Sequence, residues 1–360
     1  MKRILFMGPL TPPYTGQSVA FNAVVGHFGN EKSKVIDISG KNTLLSGLVL
    51  CLKIVSTLLL NRFDLIYFTC SRSFAGSVRD VVMLFCARIR KVPVVNHLHG
   101  GDFKNFYEDI PLWYRRMIHW CYCGVRESIV LTEAMKGEFI DFPGMKLTVI
   151  PNSYSSDLDS CPTQKERNPD KPIEVLYLSN IMKMKGILLL MEAVDVTFSK
   201  YDNFKLSIAG IPIGDRYCSE SEISRLFFEQ YERLSLLYPG RIRYLGAVSG
   251  ENKIQLLWDS DVFVLPTFYP TEAFPISILE ALRTGNYILT TDHRFIPSIV
   301  SNDNGRLVKP DSTVDLSQAL SDIMEHPELL RKIANDNIRF AMNHFPENKY
   351  LQSLETILLE

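Results

Sequence analysis

Two glutamates, Glu272 and Glu280, stand eight positions apart in the run EAFPISILE, with Phe274-Pro275 between them. Carboxylates accept hydrogen bonds from vicinal hydroxyls, so such a pair can hold the diols of a sugar or a ribose. Proline is favoured at the first position of a helix, which makes Pro275 the predicted helix start. Glu272 then lies in the loop before the helix, and Glu280 about one and a half turns inside it. The backbone N–H groups of a helix N-terminus attract anions, so a diphosphate suits this position. Pro275 has no N–H to offer, which leaves Ala273, Phe274 and Ile276 as the backbone donors. The plain alternative is a loop acid followed by a surface helix acid, since two acids at this spacing also arise by chance.

The surroundings of the motif supply the elements that would position it. The run follows an apolar segment, DVFVLPTFYPT, and leads into EALRTGNYILTT, an order that predicts strand, loop, helix, turn, strand. The same alternation fills the chain. Strands are predicted at 3–7, 35–38, 64–69, 92–97, 128–131 and 147–150, then at 174–179, 205–209, 241–245, 261–265, 287–290 and 306–308. Helical patterns between them mark α/β architecture with parallel sheets. Several strands are continuous apolar runs, as expected when both faces are buried. A chain of 360 residues exceeds what one core usually holds, so two domains are expected. The polar stretch 155–172, with three prolines, reads as the linker between them.

Three further loops carry residue types suited to chemistry. The first predicted strand ends in GPLTPPYTGQS, where Gly16 allows close backbone approach by a ligand. This loop is not a dinucleotide fingerprint, because G-x-G-x-x-G is absent. The run His97-Leu98-His99-Gly100-Gly101-Asp102 follows another strand, and His97 and His99 point the same way if the strand continues. An H-x-H metal site with Asp102 is the alternative there, but no further ligands stand nearby in the sequence. In the second half, EVLYLSNIMKMKGILLLMEAV places Lys183 and Lys185 between a strand and an apolar helix. A lysine there can neutralise a leaving phosphate.

These residues together resemble the retaining glycosyltransferases of family 4. The likeness rests on EAFPISILEAL preceded by LPT and followed by TGNYILTTD, on Lys185-Gly186, and on His99-Gly100. The resemblance implies a GT-B fold: α/β, with two Rossmann-like domains facing across a cleft and a C-terminal helix returning to the first. The expected domains are 1–160 for the acceptor, 170–340 for the nucleotide sugar, and 341–360 as the returning helix. It further implies a retaining hexosyltransferase that needs no metal or other cofactor. The catalytic residues would be His99 near the donor sugar, Lys185 on the diphosphate and Glu272 on the sugar hydroxyls. Glu280 would hold the ribose, with Gly16, Asn180, Lys183, Ala273, Phe274 and Ile276 completing the substrate contacts. The partners implied are a UDP-linked sugar and a glycan or lipid-linked acceptor, in surface polysaccharide biosynthesis.

The sequence departs from that family at several places. Asn180 stands where an arginine is usual, which removes one fixed cation and leaves Lys183 as a partial substitute. One loop glycine is replaced by Thr15, Ser153 replaces the glycine of an I-P-N-G turn, and DHRFIPS lacks the usual glycines and acid. Asn180 keeps open a non-catalytic GT-B subunit, and an epimerase or phosphorylase on the same fold is the other alternative.

Net charge is −1 and no long basic run occurs, which argues against a nucleic-acid partner. Seven scattered cysteines without a zinc-like quartet suit reduced thiols in a cytoplasm. The apolar start MKRILFMGPL reads as a strand and not as a signal peptide. Residues 44–60, LLSGLVLCLKIVSTLLL, are 17 residues long with one charge, Lys53. That length is at the low edge of a membrane span, and the central lysine favours a buried or interfacial helix. The segment WYRRMIHWCY mixes aromatics with Arg115 and Arg116, which suits a helix resting on a membrane and equally an ordinary amphipathic helix over the core. The expected location is therefore cytoplasmic, with peripheral contact at the inner face of the membrane.

Overall fold

The structure, a computed structural model, describes residues 2–12, 14–40, 43–215 and 217–359. Pro13 of the first Gly/Pro loop and Glu360 of the returning helix lie outside the described residues. The chain separates into two compact units, Met1–Asn152 with Asn348–Glu360, and Ser153–Glu347.

In the first unit, strands β1 (Ile4–Gly8), β2 (Lys34–Asp37), β3 (Leu65–Thr69), β4 (Val94–His97), β5 (Glu127–Val130) and β6 (Lys146–Val149) form one parallel sheet in the order β2-β1-β3-β4-β5-β6. β1 and β3 are buried at every position, which explains their unbroken apolar sequence. The helices are α1 (Gly16–Phe28), α2 (Leu44–Leu60), α3 (Phe74–Arg90), α4 (Phe103–Asp109) and α5 (Leu112–Tyr122). The chain steps from β1 to β2 in one direction and from β2 through β5 in the other. Right-handed crossovers therefore place α1 on one face of the sheet and α2, α3 and α5 on the opposite face. On the α1 face, Phe21 and Val24 pack with Phe6 and Tyr67, and with Tyr350 and Leu354 from the end of the chain.

The second unit repeats the plan. Strands β7 (Ile173–Leu178), β8 (Phe204–Ala209), β9 (Ile242–Tyr244), β10 (Val262–Leu265), β11 (Tyr287–Thr291) and β12 (Gly305–Val308) form a parallel sheet in the order β12-β11-β10-β7-β8-β9. Its helices are α6 (Ile187–Phe198), α7 (Glu220–Leu237), α8 (Gly250–Asp259), α9 (Ile276–Arg283), α10 (Thr313–Glu325) and α11 (Glu328–His344). The last helix, α12 (Glu347–Leu359), supplies the residues that join the first unit. The chain changes unit after Glu347, since α11 runs to His344 and Phe345 sets its ring against Phe274 of the second unit.

One expectation needs correction. The polar stretch 155–172 is not a free linker. The buried Arg283 guanidinium donates to the carbonyls of Cys161 (2.8 Å) and Pro162 (3.2 Å), and the Lys165 ammonium donates to those of Ser260 and Thr284. Polar composition signals a loop, but here buried cations, Arg283 on the unit and Lys165 in the loop itself, tie that loop down. The reading of 44–60 as a buried or interfacial helix needs no correction. Residues 44–60 do form one helix, capped by Thr43 with Ser46, yet only Ile54 and Leu58 are buried. Among the described residues, no helix is long and apolar enough to cross a membrane.

Candidate functional site

The second unit gathers Lys185, Glu272 and Glu280 with a lysine the sequence did not single out. Lys185 closes a single 3-10 turn, Lys183–Lys185, between β7 and α6. Gly186 follows at φ +77°, and a Cβ there would lie 2.1 Å from the Pro266 carbonyl oxygen. Only glycine allows this turn to approach the loop after β10 so closely. The two loops are joined where Phe268 N donates to the Met184 carbonyl at 2.9 Å. Glu272 sits in the loop after β10, and its Oε2 accepts from Lys185 Nζ at 2.5 Å and from Thr267 Oγ1 at 3.0 Å. Both side chains are largely enclosed, 17% exposed for Lys185 and 9% for Glu272.

Glu280 lies on α9, and its Oε1 accepts from Lys253 Nζ on α8 at 2.6 Å. The two acids are thus matched: each is held by a lysine through one oxygen. Neither Glu272 Oε1 nor Glu280 Oε2 has a hydrogen bond to protein among the described residues. Lys253 was missed because its partner is 27 positions away. The available signal was a lone lysine in the helix after the Gly246–Ser249 turn.

Helix α9 begins at Ile276, so Pro275 is its N-cap and stands one position earlier than predicted. Glu280 is therefore four residues past the first, close to one turn in. No side chain caps this N-terminus. The Ala273 and Ile276 N–H groups donate to no acceptor among the described residues, as an anion-binding helix start requires. Phe274 is buried beside Phe345. Asn180 lies at the end of β7, where its carbonyl accepts from Tyr177 Oη at 3.1 Å. Lys183 is exposed and makes no ion pair among the described residues; its charge acts on the Cys218 thiol.

The first unit holds the other candidates. Gly16 is the first residue of α1, capped by Thr15 with Ser18, and a Cβ added to it would meet nothing within 4 Å. Nothing in the chain itself therefore demands glycine there. His97 ends β4 and His99 follows two residues later, and their rings stack with centroids 4.0 Å apart. Tyr67 Oη is 2.7 Å from His97 Nδ1. Asp102 is taken by Arg72, at 2.6 Å, and no group of three or more metal-ligating side chains occurs among the described residues. The Arg72 guanidinium lies so close to Gly100 that a Cβ there would stand 1.4 Å from Nη1. Arg72 carried no sequence signal, since it sits in an unpatterned loop, CSRSFAG.

Burial holds both imidazoles in the neutral form. His99 is pushed down to about 3, by burial first and then by the Arg72 charge, with Asn152 opposing. His97 is also lowered, by burial and by His99. In the unfolded chain these groups take up protons near the ordinary value of 6.5, whereas folded His99 does so only at about 3. The unfolded state therefore binds more protons over that window, and stability falls as pH drops through it. Replacing His99 with glutamine is expected to flatten the acid loss of stability measured by urea unfolding. An unchanged slope would show that the two rings do not set it.

Two parallel Rossmann-like units, the second with acids, lysines and a helix start around its sheet loops, define a doubly built α/β protein with a candidate anion site. Residues 163–340 match the model of the family glycosyl transferases group 1. The chain is 29% identical over 199 residues to the N,N'-diacetylbacillosaminyl-diphospho-undecaprenol alpha-1,3-N-acetylgalactosaminyltransferase of Campylobacter jejuni, covering 54% of this chain and 47% of that one. It is 26% identical over 195 residues to the putative colanic acid biosynthesis glycosyltransferase WcaL of Salmonella typhimurium, covering 52% and 45%. The chain thus spans about half the length of the curated relatives it matches. Among solved structures, Anabaena Alr3699/HepE in complex with UDP superposes with a TM-score of 0.75 at 18% identity, over 99% of both chains. Trehalose-6-phosphate synthase gives a TM-score of 0.73 at 11% identity, over 99% and 98%. These likenesses show a GT-B fold.

Proposed function

We propose that the protein is a retaining glycosyltransferase that moves a sugar from a nucleotide-diphosphate sugar to a glycan or lipid-linked acceptor in surface polysaccharide synthesis. The observation that carries this reading is the pair of lysine-held carboxylates beside an uncapped helix start. In the reaction the bond between anomeric carbon and phosphate oxygen breaks, the acceptor oxygen bonds to that carbon, and the hydroxyl proton passes to the departing diphosphate or to water. Negative charge then grows on the departing diphosphate. Lys185 and the N–H groups of Ala273 and Ile276 are the donors placed to stabilise it. The open oxygens of Glu272 and Glu280 accept from the sugar and ribose hydroxyls respectively. His99, in the first unit, is assigned to turnover. No metal is needed, because the lysines and the helix start supply the positive charge.

UDP is the proposed carrier, since the structurally similar HepE is described in complex with UDP and with UDP-glucose. The Campylobacter relative is named for transfer of N-acetylgalactosamine to a diphospho-undecaprenol-linked sugar, which supports a lipid-linked acceptor here. The test is calorimetry with UDP, GDP, ADP and CDP, each with and without a chelator. Saturable binding of UDP above the others, unaffected by chelator, is expected. A folded protein that binds none of the four would overturn the donor site. A sugar-nucleotide-binding subunit without transfer is the second reading, favoured by Asn180 in place of an arginine; it predicts the same binding with no turnover.

A further inference from the structure

The outer surface of the first unit's three-helix layer is apolar and basic at once. α2 and α5 both pack against α3, and all three cover the same face of the sheet. On α2, Leu44, Leu45, Leu48, Val49 and Leu52 are between 57% and 97% exposed. On α3, the exposed residues Phe74, Val78, Phe85 and Ile89 fall on one stripe at spacings of four, seven and four. On α5, Trp113, Met117 and Trp120 form a second stripe at spacings of four and three. Ring contacts join the two helices, Phe74 with the buried Tyr114 at 4.8 Å and Phe85 with Trp120, stripe to stripe, at 6.1 Å. An apolar surface this extended is not a usual feature of a water-facing helix layer.

The charges select what can cover it. The three helices contain six cations, Lys53, Arg79, Arg88, Arg90, Arg115 and Arg116, and one acid, Asp80. Asp80 is fully buried and engaged by Arg79 and by Ser71 N, so the layer presents no exposed acid. Lys53, Arg88, Arg90 and Arg116 are exposed, and Arg88 lies over the Trp120 ring at 4.1 Å. A second copy of this surface would bring like charges together across an apolar contact, which is unfavourable. A surface of negative headgroups over hydrocarbon complements both features. Leucines enter the acyl boundary, tryptophans sit at headgroup depth, and cations meet phosphates.

We propose that α2, α3 and α5 form a docking surface for an anionic lipid bilayer. The layer belongs to the first unit alone, so the inference is independent of the donor site proposed above. The test is sedimentation of the full chain with vesicles of phosphatidylcholine alone, or of phosphatidylcholine and phosphatidylglycerol in equal parts. Binding to the mixed vesicles and not to the neutral ones is expected, weakening with salt. Leu48→Ser, Val49→Ser and Leu52→Ser together should lower binding about tenfold or more. These positions are exposed, so the thermal midpoint should stay unchanged. Lys53→Gln with Arg116→Gln should lower binding by roughly fivefold for each cation lost. The proposal is overturned if the wild type ignores anionic vesicles or binds neutral ones equally. Full binding by the triple variant, or a dimer broken by the same substitutions, overturns it as well.

Discussion

Lys185→Met is expected to lower kcat/KM for sugar transfer by about 10²- to 10³-fold, the cost typical of losing one preorganised donor to developing charge. The same substitution should also reduce the stability of the second unit. Lys185 and Glu272 are 2.5 Å apart and mostly enclosed, so the change strands a carboxylate that has little access to water. Stranding one partner of a buried pair is more damaging than removing both. Thr267 Oγ1 still donates to Glu272, which limits the loss to about 2–3 kcal/mol. Adding Glu272→Gln should recover most of that stability, because the stranded charge is gone. It should not recover transfer, because the cation that met the phosphate is still missing. Thermal unfolding and steady-state kinetics on the two variants separate these effects. Near-normal turnover in the single variant would remove Lys185 from the proposed chemistry.

The strands and the helix-loop order were readable because burial on both faces leaves continuous apolar runs, as at Leu65–Thr69. Lys185, Glu272 and Glu280 were readable because a strand-loop-helix order puts loops at one edge of a parallel sheet. What the sequence hid were pairings between distant segments. The Lys253–Glu280 contact joins α8 to α9, and Arg72 meets Asp102 across 30 positions. The stretch 155–172 misled for the same reason, since its anchors are Arg283 and carbonyls far along the chain. The α2 segment was ambiguous and did not mislead. Its apolar sequence predicted burial or an interface equally well, and only the packing shows that most of its leucines stay uncovered.

Glu280→Ala is expected to weaken UDP binding by about 1–3 kcal/mol, or roughly fivefold to 150-fold, if its open oxygen holds the ribose hydroxyls. The substitution should leave the fold intact. α9 is bound through the Glu280 carbonyl to Thr284, a contact that does not involve the side chain. The Lys253 side chain is 31% exposed and can turn to water once its partner is gone. A loss of affinity alone would not identify the ribose as the group recognised, because Glu280 also sets local charge. The comparison that does so is UDP against 2′-deoxy-UDP. The wild type should prefer UDP, since a carboxylate oxygen left facing a missing hydroxyl is poorly satisfied. Glu280→Ala should bind both nucleotides alike, at about the level the wild type shows for the deoxy form. Lys253→Met should fall between them, because the carboxylate remains but is no longer held in place. If Glu280→Ala keeps the wild-type preference for UDP, the ribose is read elsewhere, and the matched arrangement of the two lysine-held acids has another purpose.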